Sequence, residues 1–134
     1  MSASNGNFEH VKYLLEKGAN PNAENRQGST GFILAAEKGH LDVVQLLGRR
    51  IYKIDIEKTD GKGRTALIWA AMKGHLPVVQ YLMETKNANV NAEDLDGNTP
   101  LKLASQNNHT DVVSYIAGVD GGTNETQGNN DVLM

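Results

Sequence analysis

The chain has 134 residues, fits one domain, and carries 39 % apolar but only 5 % aromatic residues, so its core must be mainly aliphatic. A formal charge of −3 gives no global case for nucleic acid, which usually wants a basic face on a basic domain. The absence of cysteine excludes disulfides, thiolate metal sites and a cysteine nucleophile, and suits a reducing compartment.

Met1-Ser-Ala-Ser-Asn lacks the basic start and apolar run of a signal peptide, and no apolar stretch approaches the ~18 residues of a membrane span. A partial unit comes first: Gly6-Asn-Phe-Glu-His-Val-Lys-Tyr-Leu-Leu15, then the turn-rich Gly18-Ala-Asn-Pro-Asn-Ala23. Three fuller units follow, starting at Gly28, Gly63 and Gly97, which are 35 and 34 residues apart. In each, a threonine (Thr30, Thr65, Thr99) is placed to cap a helix, its oxygen accepting an orphan backbone N–H. Pro100 suits the first helical position, where its missing N–H costs little. The short helix carries Ala35-Ala36, Ala70-Ala71 or Ala104-Ser105, small residues that permit close packing. Gly39 and Gly74 stop it by adopting the left-handed conformation, and Asn108 takes their place in the last unit.

A second helix begins after His40, His75 or His109, with apolar residues at 41, 44 and 47 and again at 76, 79 and 82. Pro77 lies in its first turn and is tolerated there. Linkers such as Asn87-Ala-Asn-Val-Asn-Ala92 should reverse the chain into an extended finger. From about Gly118 the pattern ends. Residues 120–134 cannot bury a core and are expected to form a flexible tail, Val132-Leu-Met134 being an ordinary frayed end.

Together these residues resemble the ankyrin-repeat pattern Asp-x-x-Gly-x-Thr-Pro-Leu-His-x-Ala-Ala-x-x-Gly-His-x-x-Val-Val-x-x-Leu-Leu, then Gly-Ala-x-Val-Asn-Ala. The resemblance spans about residues 2–117. It implies an all-α solenoid of helix–turn–helix units with β-hairpin-like fingers and a concave face formed by the fingers and first helices. The expected domain is 1–119, with a partial repeat at about 1–24 and repeats at about 25–59, 60–93 and 94–119. Several positions depart from the pattern. Gly31 and Ala66 replace the usual proline, and Ile33, Ile68 and Lys102 replace the histidine. The second unit closes with Gly48-Arg-Arg-Ile-Tyr-Lys-Ile-Asp-Ile-Glu-Lys-Thr-Asp60, two residues longer and without Gly-Ala, and the third has one extra residue near Lys86. The first unit lacks nearly all of its first helix, so Phe8, Val11, Leu14 and Leu15 are expected to leave a partly exposed apolar edge.

Catalytic chemistry finds little footing. His40, His75 and His109 recur once per repeat, roughly 10 Å apart by helix stacking, too far to share metal bonds of about 2 Å. They read as helix-start residues bonding neighbouring loop backbone, and His10 as packing or edge exposure. Ser29, Thr30 and Thr65 have no His/Asp pair at a spacing for activation. Asp60-Gly-Lys-Gly-Arg64 lacks the phosphate-loop pattern and falls at a finger tip. Asp94 and Asp96 offer too few oxygens for calcium. The Asn-x-Thr triplets at Asn108 and Asn124 read as chance.

The expected role is therefore non-catalytic protein–protein interaction, with no cofactor, metal, nucleic acid or membrane. The resemblance places the candidate partner-binding residues on the fingers and concave face: Arg26, Gln27, Ser29, Lys38, Lys62, Arg64, Trp69, Met72, Lys73, Leu95, Asp96 and Asn98. Trp69 replaces the aliphatic of Leu34 and Leu103, and tryptophan and arginine are enriched at binding hot spots. The cations among them make a locally basic groove that prefers an acidic segment, although Lys38 and Lys73 also suit the end of a helix dipole. The alternative is a scaffold or spacer segment excerpted from a longer array. A monomer in the cytoplasm, with access to the nucleus, is the expected state.

Overall fold

The computed structural model describes residues 3–121. Its helices are α1 (Ala3–Glu16), α2 (Gly31–Lys38), α3 (Leu41–Leu47), α4 (Ala66–Lys73), α5 (Leu76–Glu84), α6 (Pro100–Gln106) and α7 (Thr110–Gly121). A turn of 3-10 helix, Arg50–Tyr52, lies between α3 and α4.

The threonine caps form as expected. Oγ1 of Thr30, Thr65 and Thr99 accepts the N–H of Ile33, Ile68 and Lys102 at 3.3, 3.2 and 3.2 Å. The stops form too: Gly39, Gly74 and Asn108 have φ of +76°, +78° and +63°. Gly39 N–H donates to the Ala36 carbonyl and His40 N–H to that of Ala35, which satisfies the last carbonyls of α2. At the first two of these stops glycine is needed for space as well as for φ. A Cβ on Gly39 would stand 2.6 Å from Nδ1 of His75, and one on Gly74 would collide likewise with His109. His75 and His109 are thus inter-repeat packing groups. His75 lies against Gly39 of the preceding repeat, with Nε2 2.9 Å from the Glu37 carbonyl oxygen. His10 is exposed.

Two layers result. In one, α4 packs between α2 and α6; in the other, α1, α3, α5 and α7 follow one another. Between them lies a mainly aliphatic core that includes Phe32, Ile33, Leu46, Leu67, Ile68, Val79, Leu82, Val112 and Ile116, all essentially buried. Ala36, Ala70, Ala71 and Ala104 are fully buried where the layers meet, as small residues at a close approach should be. Helix α1 is the second helix of the partial repeat. Gly6, in register with the helix-ending Gly39, lies inside α1 instead of ending a helix. The expected apolar edge is present: Leu14 is 41 % and Tyr13 57 % exposed, while Phe8, Val11 and Leu15 are half-buried against the core.

The fingers are built from turns. Glu24 and Thr30 form an isolated antiparallel bridge, and no strand forms among the described residues. In the irregular second repeat, the 3-10 turn and Lys53 at φ +52° absorb the extra residues. They leave Ile51 75 % exposed and turn Ile54 and Ile56 inward against the core. Helix α7 runs to Gly121, two residues into the expected tail. The rest of that tail, including Val132–Met134, lies outside the described residues.

Candidate functional site

Each finger tip is organised by one side chain at a repeating position. Oδ1 of Asn25 accepts the N–H groups of Gln27 and Ser29, Oδ1 of Asp60 those of Lys62 and Arg64, and Oδ1 of Asp94 those of Asp96 and Asn98, all at 2.9–3.1 Å. These turns mimic a backbone turn with a side-chain oxygen. Neighbouring fingers are stitched by single backbone bonds. Gly61 N–H donates to the Gln27 carbonyl at 2.7 Å and Leu95 N–H to that of Lys62 at 3.1 Å.

The second carboxylate oxygen of Asp60 ties its finger to α4, and that of Asp94 ties the third finger to the second. Trp69 Nε1–H donates to Asp60 Oδ2 at 2.7 Å, and Arg64 Nε–H donates to Asp94 Oδ2 at 3.1 Å. The Arg64–Asp94 pair is largely buried, with side-chain exposures of 14 % and 1 %. Burial by itself pushes the Asp94 carboxyl up; the N–H of Asn98, the Arg64 guanidinium and the N–H of Asp96 outweigh it and hold the group below its ordinary value. The Arg64 guanidinium lies 4.9 Å from the centre of the Trp69 ring, with the Lys73 and Lys62 ammonium groups at 5.8 and 6.0 Å. Such cation–ring contacts are worth ~0.5–1 kcal/mol when exposed and ~2 kcal/mol when desolvated.

Between the first and second fingers lies a cleft of about 400 Å³, lined by residues that include Asn25, Ser29, Leu34, Glu37, Asp60 and Trp69. Ser29 is 95 % buried there, and its Oγ is the buried side-chain polar atom without a hydrogen-bond partner among the described residues.

The structure thus separates the residues singled out from sequence. Lys62, Arg64, Trp69 and Lys73 come together; Gln27, Ser29 and Lys62 border the cleft. Arg26, Lys38, Leu95 and Asp96 are exposed, Leu95 at 77 %; Met72 and Asn98 are half-buried. Trp69 is only 9 % exposed, because its ring sits under the cations and against Asp60. Asp60, Asp94 and Asn25 were missed as organisers, although their 35- and 34-residue spacing matches that of the glycines. Among the described residues, no group of His, Cys, Asp and Glu could hold a metal ion, and no helix is long and apolar enough to cross a membrane.

Helix hairpins stacked in register, joined by turn-built fingers that hydrogen-bond to their neighbours, define a repeat solenoid. The chain matches the family model described as ankyrin repeats (3 copies) over residues 1–60 and 49–126, and it belongs to the ankyrin-repeat family. It is 36 % identical over 111 residues to ankyrin repeat domain-containing protein 63 of Mus musculus, a match covering 81 % of this chain and 28 % of that protein. It is 48 % identical over 42 residues to ankyrin repeat domain-containing protein 46 of Rattus norvegicus, covering 31 % of this chain and 18 % of that protein. The chain therefore spans less than a third of the length of these relatives. Ankyrin repeats are generally protein-interaction modules and generally not enzymes.

Proposed function

We propose that this chain is a non-catalytic interaction module that binds a partner segment through its finger tips and the concave face beside them. The observation that carries this reading is the pairing of a 400 Å³ cleft with protruding finger tips, of which Leu95 is 77 % exposed. A cleft able to take one anchoring side chain, rimmed by exposed polar groups, is the anatomy of a binding surface. The acidic preference of the partner is supported by Arg26, Lys38, Lys62 and Lys73, which are exposed and in no ion pair among the described residues. Arg64 no longer belongs with them, since Asp94 neutralises it.

Affinity capture with wild-type protein, a Gln27→Ala/Lys62→Ala/Leu95→Ala variant and a control variant at Ile51 tests the reading. All the substituted side chains are exposed, so the variants should fold. A partner retained by the Ile51 variant and lost by the triple variant is the expected result. Equal retention by both moves the site off this face. The acidic preference requires binding to weaken from low to high salt, because exposed charges are screened over ~10 Å at 0.1 M; salt-independent binding removes it.

The second reading, a scaffold segment within a longer array, draws on the N-terminal edge. There Val11, Leu14, Leu15, Gly31, Val43 and Leu47 help to line an open apolar groove of about 230 Å³, the kind of face a further repeat covers.

A further inference from the structure

We infer that the cleft between the first and second fingers is an arginine slot, which takes the guanidinium of an arginine presented by the partner segment. The inference rests on the interaction-module reading and names the anchor that module recognises.

The repeat register makes the case. Ser29, Arg64 and Asn98 occupy one repeat position; Asn25, Asp60 and Asp94 another; Leu34, Trp69 and Leu103 a third. Between the second and third fingers, Arg64 crosses to the aspartate of the next finger, Asp94, and lies over Trp69. Between the first and second fingers, the residue in the place of Arg64 is Ser29. Its side chain ends at Oγ and makes no bond to Asp60, the aspartate of the next finger. The space an arginine would fill is left as the cleft, with Leu34 where Trp69 floors the neighbouring slot.

The lining has the chemistry to match. Asp60 Oδ2 accepts one hydrogen bond, from Trp69, and a carboxylate oxygen has room for a second. Glu37 adds a second carboxylate to the cleft, which Ser29 also borders. A guanidinium brings five N–H donors in a planar fork and an apolar stem; an ammonium brings three donors around a point. Lys62 is exposed at the rim, where solvent screens it. It favours an acidic neighbour beside the anchoring arginine.

The test uses the full chain labelled with 15N. The sequence contains one tryptophan, so one indole N–H signal reports on the bond to Asp60. The probes are N-acetyl-arginine amide and its lysine and citrulline counterparts. A saturable shift of the indole signal with the arginine probe is expected, with the lysine probe weaker and the uncharged citrulline probe silent. Ser29→Arg, which supplies a guanidinium in cis as Arg64 does in the next slot, should abolish the response and raise the melting temperature. Asp60→Asn keeps the turn acceptor, as Asn25 does in the first finger, and should weaken binding about tenfold by removing a charge-assisted bond. No saturable shift in wild type, an equal response to citrulline, or an undiminished response in Ser29→Arg or Asp60→Asn overturns the slot. Partner capture without an arginine response would sink the slot and leave the module reading standing. An arginine response without any captured partner would do the reverse.

Discussion

Removing the Arg64 side chain should expose how much the bond between the second and third fingers contributes to stability. Truncation to alanine leaves the Asp94 carboxylate, 1 % exposed, without its counter-charge. Stripping one partner from a buried pair costs ~3–5 kcal/mol. Arg64 is itself 14 % exposed, so its loss opens a path for water, and the N–H groups of Asp96 and Asn98 still hold Oδ1. Arg64→Ala is therefore expected at or somewhat below the lower end of that range, about 2–3 kcal/mol, including the lost contact with Trp69. Asp94→Asn in the Arg64→Ala background should recover part of the loss, because an amide needs no counter-charge. Acid sensitivity gives an independent signature. The Asp94 carboxyl lies below its ordinary 3.8 in the folded chain, so its contribution is present above that value and is lost as pH falls through the folded pKa. Asp94→Asn should flatten this acid limb. Urea unfolding followed by the single tryptophan, repeated between about pH 2 and 7 to bracket that window, measures both effects. A cost below about 0.5 kcal/mol, the range of an ordinary surface substitution, or an unchanged acid limb in Asp94→Asn, would refute the reasoning.

Three further outcomes are expected. Gly74→Ala should destabilise by more than the ~1–2 kcal/mol of left-handed backbone alone, since the new Cβ displaces His109. Gly18→Ala, at φ +91° with nothing within 4 Å, should cost only the backbone part, and paired denaturation curves distinguish them. Thr65→Ala removes the cap of α4 and should cost ~1 kcal/mol in the same assay, because the Ile68 N–H then loses its acceptor. Tyr115, whose phenol donates to Glu84, is pushed up to about 12 by burial and by the hydrogen bond and charge of that carboxylate. The stability it confers is present below pH 10.0 and is lost as pH rises toward 12; ultraviolet titration of Glu84→Gln should show Tyr115 ionising earlier.

Local chemistry determined the elements of this protein. Thr30, Thr65 and Thr99 cap helices, and Gly39, Gly74 and Asn108 end them, because each acts on backbone a few residues away. The spacing of such signals was enough to reveal the repeat, the aliphatic core and the exposed edge at Leu14. What the sequence alone did not yield depends on contacts made only in the folded chain: Arg64 meets Asp94 30 residues on, and Trp69 meets Asp60 9 residues back. Trp69 and Arg64 read as hot-spot candidates until packing put one beneath cations and paired the other with Asp94. Asp60 read as part of a finger tip, and Asp94 as a carboxylate short of a calcium loop, until the fold aimed their second oxygens at the indole and the guanidinium. The cleft beside Ser29 has no local signature. It exists because a serine stands where the adjacent repeat has an arginine, and only the stacking of the two fingers turns that shortfall in side-chain length into an open space.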